Sequence, residues 1–330
     1  MPCINKSTYK HPWWLPGGHA QSIFPTFFRR AREPFGRESG RIDTPDGDFI
    51  ELDLYRAEPR NSKLVIISHG MEGNSRRKYV LGMANAFLAE GWDALAWNFR
   101  SCGPEMNLRP RIYHSGDTAD IQTVIEYAVQ LGYRGIILCG FSMGGSVTLN
   151  YLGKQADSVP PEVLGALTFS VPCDLAACSA RLDQGFHKVY TANFLLTLRE
   201  KIRKKHEQFP DIYKVEALSK IKTLKAFDDR YTAPIHGFLS AEDYWYKSSC
   251  MHALEFIRLP ALIVNAKNDP FLAGRCFPLA EAEKNGCLYL EMPETGGHVG
   301  FVSGGDYYWS ELRAVEFARE HFFPLITARS

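Results

Sequence analysis

Gly140, Ser142 and Gly144 form a G-x-S-x-G pattern, and a serine in that spacing can attack a carbonyl carbon once a base takes its proton. The apolar run Ile136-Ile137-Leu138-Cys139 reads as a strand leading into it, and Ser146–Leu152 beyond it reads as helix. A serine on so tight a strand-to-helix turn must take a strained backbone conformation, and the flanking glycines keep neighbouring side chains from clashing. The turn exposes the hydroxyl and leaves the amide of Met143 at a helix N-terminus, aimed where an oxyanion would form. Taken alone, the pattern also fits a glycine-rich turn with a bystander serine. The chain must therefore also supply a base, an acid and a second oxyanion donor.

Candidates for all three follow in a consistent order. Of the ten histidines, His298 alone follows the last predicted strand on a glycine-flanked loop, Gly296-Gly297-His298-Val299-Gly300, free to turn its imidazole toward Ser142. Asp269 stands at the mouth of a late strand, fixed by Pro270, and suits the acid that orients a histidine. Asp174 is a rival at another strand end. Asp269 is preferred because its strand neighbours the histidine loop, whereas Asp174 opens a helical segment. The resulting order Ser142, Asp269, His298 is the one expected of a strand–elbow–helix architecture. For the second oxyanion donor we take the amide of Met71 in His69-Gly70-Met71, with His69 and Gly70 bracing that loop as Gly140 and Gly144 brace the elbow.

To meet, these groups need a sheet whose strand ends share one rim. Gly40–Thr44 and Phe49–Tyr55 alternate around Pro45-Asp46-Gly47-Asp48, the pattern of an antiparallel hairpin. Lys63–Ser68, Ala94–Phe99, Val163–Phe169, Ala261–Asn265 and Leu288–Glu291 are apolar runs suited to strands buried on both faces. Helices are predicted over Tyr79–Glu90, Ile121–Leu131 (opened by Asp117-Thr118-Ala119-Asp120) and Tyr307–His321. This alternation predicts an α/β protein with a doubly wound, mostly parallel sheet over residues 41–173 and 257–330. Residues 174–256 interrupt it and are expected to form a helical cap over the strand ends. The basic run Glu200-Lys201-Ile202-Arg203-Lys204-Lys205-His206 there is expected to be a solvated helix face. Residues 1–40 are expected to be an arm packed on the core, with Pro12–Gln21 lying irregularly on something apolar. Its aromatics either serve packing, line an acyl pocket or, with Phe24, Phe27 and Phe28 ahead of Arg29-Arg30, touch a membrane surface.

Composition narrows the function classes. Hydrophobic residues at 45% and aromatics at 13% support a large core. A net charge of +1 argues against nucleic acid as an obligatory partner. No apolar run reaches a membrane span, and the first residues lack the layout of a signal peptide, so membrane contact is expected to be peripheral at most. The eight cysteines are scattered without a C-x-x-C pair, which suggests reduced thiols and a cytoplasmic protein.

The motifs together resemble the YheT-like branch of the α/β-hydrolases. They are Gly140–Gly145, His69-Gly70-Met71-Glu72-Gly73 and Gly296–Phe301, with Pro12-Trp13-Trp14, Gly18-His19-Ala20-Gln21, Asn98-Phe99-Arg100, Tyr113-His114-Ser115-Gly116, Phe227-Asp228-Asp229 and His236-Gly237-Phe238. The resemblance spans essentially the whole chain and implies an α/β-hydrolase fold and serine esterase or lipase activity, with Ser142, Asp269 and His298 at the triad positions. The chain departs from the family at Ser101, where glycine is expected directly after Arg100, and lacks the membrane anchor of the animal relatives, which points to a soluble, bacterial-type member. The expected activity is cleavage of a small-molecule carboxylic ester, first of short-to-medium acyl chains, with no metal or organic cofactor. A lipase or acyltransferase acting on lipid esters, and a non-catalytic scaffold used for binding, are the alternatives. Phe194, Leu195, Leu198, Phe238, Tyr244 and Trp245 of the cap are candidates either for an acyl pocket or for the cap's own core. The sequence does not address oligomeric state.

Overall fold

A computed structural model describes residues 3, 4 and 6–327. Among the described residues nine strands form one sheet: β1 (Cys3–Ile4), β2 (Glu38–Asp43), β3 (Phe49–Tyr55), β4 (Lys63–Ser68), β5 (Asp93–Trp97), β6 (Gly135–Phe141), β7 (Val163–Phe169), β8 (Ala261–Val264) and β9 (Leu288–Glu291). Their spatial order is β1-β9-β8-β7-β6-β4-β5-β3-β2. β2 and β3 form the expected antiparallel hairpin, and β3 runs antiparallel to β5. All other neighbours are parallel. The short β1 beside β9 has no counterpart in the sequence reading, because two residues are too few to carry a period.

The period-2 pattern of β4 explains the layering. Leu64 and Ile66 point into one apolar cluster and Val65 and Ile67 into another, on the opposite face of the sheet. Helices cover both faces with stripes at helical spacing. α3 (Ala119–Gln130) buries Ile121, Val124, Ile125 and Ala128 in the first cluster, while α2 (Lys78–Ala89) buries Val80, Met83, Ala84 and Phe87 in the second. The chain goes from β4 through α2 to β5 on one side, then through α3 back to β6 on the other. The carboxyl ends of β4 and β6 therefore border the crevice where connections diverge, the place open α/β sheets use for ligands.

The N-terminal region corrects an expectation. Residues Gly18–Phe28 form a regular helix, α1, not an irregular arm. Pro25 sits in its interior, and the chain bends into the helix at Gly17, whose φ is 80°.

α4 (Met143–Lys154) follows β6. Between β7 and β8 the chain leaves the sheet for α5 (Leu175–Leu182), α6 (Lys188–Gln208), α7 (Leu224–Phe227), a π-helical turn (Asp228–Thr232), α8 (Ala233–Ile235) and α9 (Ala241–Ser248). These elements enclose their own apolar cluster, including Leu195, Leu198, Ile202, Phe227 and Tyr231. The basic run on α6 is the expected solvated face only in part: Glu200, Arg203 and Lys204 are exposed. Lys201 and Lys205 are buried, because their i, i+4 spacing puts both on the inner side of the helix. Lys205 donates to the carbonyls of Asn107 and Arg109, both at 2.7 Å. α10 (Leu279–Lys284), α11 (Trp309–His321) and α12 (Phe323–Thr327) complete the chain. Among the described residues no helix is long and apolar enough to cross a membrane.

Candidate active site

Ser142 sits between β6 and α4 with φ 53° and ψ −121°, a conformation that side-chain-bearing residues rarely adopt. The turn closes because its neighbours are glycines. A Cβ on Gly140 would lie 2.5 Å from the carbonyl oxygen of Gly144, and one on Gly144 would lie 2.4 Å from that of Ser68. Neither backbone atom can step aside as a flexible side chain would.

His298 and Asp269 converge on this serine from the far end of the chain. His298 Nε2 lies 2.9 Å from Ser142 Oγ, and His298 Nδ1 lies 2.9 and 3.1 Å from the two oxygens of Asp269. The carboxylate is fully buried, and its Oδ1 also accepts the amide of Phe271 at 2.8 Å. A carboxylate on Nδ1 fixes the proton there and turns the bare Nε2 toward the hydroxyl. Asp174 is elsewhere: its Oδ1 accepts the Ala177 amide at 3.0 Å and caps α5.

Three further contacts hold the imidazole and its loop, and none of them is legible in the sequence. The Phe271 ring stacks on that of His298 at 3.9 Å between centroids and 10° between planes. The His298 amide donates to Ser22 Oγ at 2.7 Å and the Val299 amide to Ser170 Oγ at 2.8 Å. Buried Gln21, one residue before Ser22 on α1, accepts the Gly296 amide at 2.8 Å through Oε1 and donates to the Leu15 carbonyl at 2.9 Å. The signal was present in the Gly18-His19-Ala20-Gln21 motif, but nothing in its composition says what it touches.

The loop after β4 faces the elbow: a Cβ on Gly70 would approach Ser142 Cβ to 3.2 Å. His69 is fully buried, and burial pulls its pKa down to about 3, so the ring is neutral. It donates from Nδ1 to the Gly70 carbonyl at 2.7 Å and accepts the Phe99 amide on Nε2 at 3.2 Å. The Gly70 amide donates to Tyr79 Oη at 3.0 Å. These bonds leave the amides of Met71 and Met143, both beside Ser142 in the cleft wall, without an intramolecular acceptor among the described residues. Glu72, at φ 54°, turns its carboxylate inward to Tyr113 Oη and to Lys201 Nζ of α6, the latter at 2.5 Å. A buried ion pair thus ties the loop to the elements above it. At the family's expected glycine, Ser101 takes φ 60°, the left-handed conformation glycine would otherwise supply.

The cleft over Ser142 holds about 880 Å³, its open mouth included. Of the residues proposed for an acyl pocket, Phe194, Leu198, Tyr244 and Trp245 line it. Leu195 instead packs in the cluster under α6, and Phe238 against Ala241 and Tyr244. Among the described residues no group of histidine, cysteine, aspartate and glutamate is arranged to hold a metal ion.

A family profile described as alpha/beta hydrolase fold matches residues 63–304. The chain belongs to the α/β-hydrolases, and its sheet is the fold of that family. Among curated proteins it is 33% identical over 291 residues to "Putative esterase YheT" of Escherichia coli (strain K12), covering 87% of this chain and 84% of that protein. It is 29% identical over 314 residues to "Phospholipase ABHD3" of Mus musculus, covering 92% and 75%. Within the α/β-hydrolases it is therefore a member of the YheT-like branch, an esterase- and lipase-type group. The solved structure of the Pyrococcus furiosus esterase PF2001 shares the fold, with a TM-score of 0.57 at 17% identity over 89% of this chain and 99% of that one.

Proposed function

We propose that this protein hydrolyses carboxylic esters through an acyl-enzyme on Ser142. The observation that carries the reading is the unbroken line from Ser142 Oγ to His298 Nε2 and, across the ring, from His298 Nδ1 to Asp269, with both hydrogen bonds 2.9 Å. His298 takes the hydroxyl proton as Ser142 attacks the ester carbonyl, and Asp269 stabilises the imidazolium that forms. The amides of Met71 and Met143 receive the oxyanion. His298 then protonates the leaving alcohol, and the same base activates the water that frees the acyl group. Side chains and amides supply every step, so the mechanism calls on no metal or organic cofactor. Residues 174–256 act as the cap that bounds the substrate cleft. We take the substrate to be a small ester of short-to-medium acyl length, handled by a soluble cytoplasmic protein whose buried thiols, Cys139 among them, pack as small hydrophobes.

A second reading, lipid esters, is favoured by one feature: Trp13, Phe27 and Phe28 are largely exposed on and beside α1. The name phospholipase carried by the mouse relative points the same way.

The decisive experiment is labelling with a fluorophosphonate, followed by turnover of p-nitrophenyl esters of graded chain length. Labelling should vanish in Ser142→Ala, and turnover should fall by roughly 10⁶ if the triad acts as a unit. Well-folded protein that neither labels nor turns over any chain length would leave a binding scaffold as the better account.

A further inference from the structure

The motif Phe227-Asp228-Asp229 has no part in the mechanism above, yet its middle residue belongs to the wall of the catalytic cleft. Asp228 opens the π-helical turn Asp228–Thr232, a geometry concentrated at functional positions because it turns out a side chain that a regular helix would direct elsewhere. Its Oδ1 accepts from Thr232 Oγ1 at 2.7 Å and its Oδ2 from Trp245 Nε1 at 2.9 Å. Each oxygen keeps a free lone pair, and among the described residues no lysine, arginine or histidine forms an ion pair with the group. The neighbouring Asp229 is occupied differently, by Lys225 and the amide of Ala241. Burial pushes the Asp228 carboxyl up to about 6, as expected where water is removed and no cation replaces it.

The surrounding wall is polar as well. Ser115 and Tyr244 are hydrogen-bonded to each other at 3.2 Å, and both line the cleft. His114, from the second unassigned motif, accepts the Gly116 amide on Nδ1 at 3.2 Å, which leaves Nε2 as its protonated nitrogen. Burial holds that ring neutral by lowering its pKa to about 4. Leu182, Phe194, Leu198 and Phe227 line the same wall with hydrocarbon. A pocket meant only for an alkyl chain has no use for a carboxyl group that no cation balances, since facing a charge with hydrocarbon is costly.

We propose that Asp228 selects esters whose cleft-bound substituent carries a hydrogen-bond donor, a hydroxyl or an ammonium, remote from the scissile bond. The inference rests on the esterase reading and adds the chemistry of its substrate. A donor takes up the free lone pairs of the carboxylate, while a plain methyl end covers them with hydrocarbon and offers nothing in return.

Matched esters test this. In one series the terminal methyl of a p-nitrophenyl hexanoate is replaced by hydroxyl or by ammonium. In the other the same replacements are made on the alcohol of a butyl hexanoate. The wild-type protein is expected to favour a donor-bearing ester over its methyl partner by about tenfold or more in kcat/KM in at least one series. The arm with the larger ratio identifies hydroxyl or ammonium as the donor. In Asp228→Asn that ratio should collapse, and it should collapse further for ammonium, because the amide keeps an acceptor but no charge. Equal rates within every pair, a preference for the methyl end, or a ratio unchanged in Asp228→Asn overturns the inference. Should Asp228→Asn fail to fold, equal wild-type rates within every pair still overturn the inference, and Asp228→Glu, which keeps the charge but moves it, takes over as the variant whose ratio must change. Fluorophosphonate labelling of Ser142 without donor preference sinks this inference alone. An unlabelled, inactive protein sinks the esterase reading with it.

Discussion

Presenting the Ser142 hydroxyl to the cleft requires a backbone bend that the surrounding residues must hold in place. Strain of this kind costs on the order of 1–3 kcal/mol per residue and survives only where packing over-determines it. Here the constraint is the near-contact of Gly140 with Gly144 and of Gly144 with the end of β4. Asp228 raises a different matter at the same scale, one of protonation. Its folded pKa, about 6, lies above the ordinary value of 3.8, so the folded state holds that proton more tightly than the unfolded chain does. Its contribution to stability is complete below about pH 4 and is lost as pH rises through 6. Asp228→Asn does not titrate. Its stability relative to wild type should therefore rise between pH 4 and pH 7, by on the order of 1–3 kcal/mol, in urea melts at the two pH values. A flat difference would mean that the carboxyl is not desolvated as described.

Among the elements, α6 has the most to do with the chemistry while supplying none of it. Its Lys201 reaches Glu72, and Glu72 directly follows the proposed oxyanion donor Met71. Lys201→Met should leave a buried carboxylate without its partner, at a cost of roughly 3–5 kcal/mol. If the ion pair also sets the loop, kcat should fall with little change in KM, and Lys201→Arg should restore part of it. Stability loss without a kcat effect would reduce the pair to packing. That role is not legible in Glu200–His206, because a run of like charges reads as surface unless its partners are known, and Glu72 lies 129 positions away. The strands are legible for the opposite reason. Runs such as Lys63–Ser68 and Val163–Phe169 are apolar throughout because both faces are covered, and their limits can be read to the residue. The meeting of Ser142, Asp269 and His298 was likewise within reach, since each stands on a local signal just past a strand. Ser22 carries no such signal, and the motif that holds Gln21 does not say what it touches. Gln21 becomes meaningful only when Gly296, 275 positions on, is laid against it.

At the scale of the whole molecule, the two ends of the chain are bound together at the rim of the sheet. β1 pairs with β9, α1 supports the histidine loop, and Arg29 at the end of α1 forms a buried ion pair with Glu311 of α11. The His19 ring also meets Phe186 and Tyr190 at and beside the start of α6, so α1 touches both the histidine loop and the segment over the cleft. Gln21→Leu keeps the helix but removes the bonds to Gly296 and Asn268, so kcat should drop by about tenfold or more while the melting temperature shifts by only a few degrees. Unchanged kcat would separate α1 from catalysis. Among the described residues, the β1–β9 pair is the one place where the sheet is paired with chain ahead of β2. A protease that nicked the connection between α1 and β2 and let the front of the chain drift off would thus silence the enzyme long before it melted the scaffold, and a far-ultraviolet spectrum would scarcely register the injury.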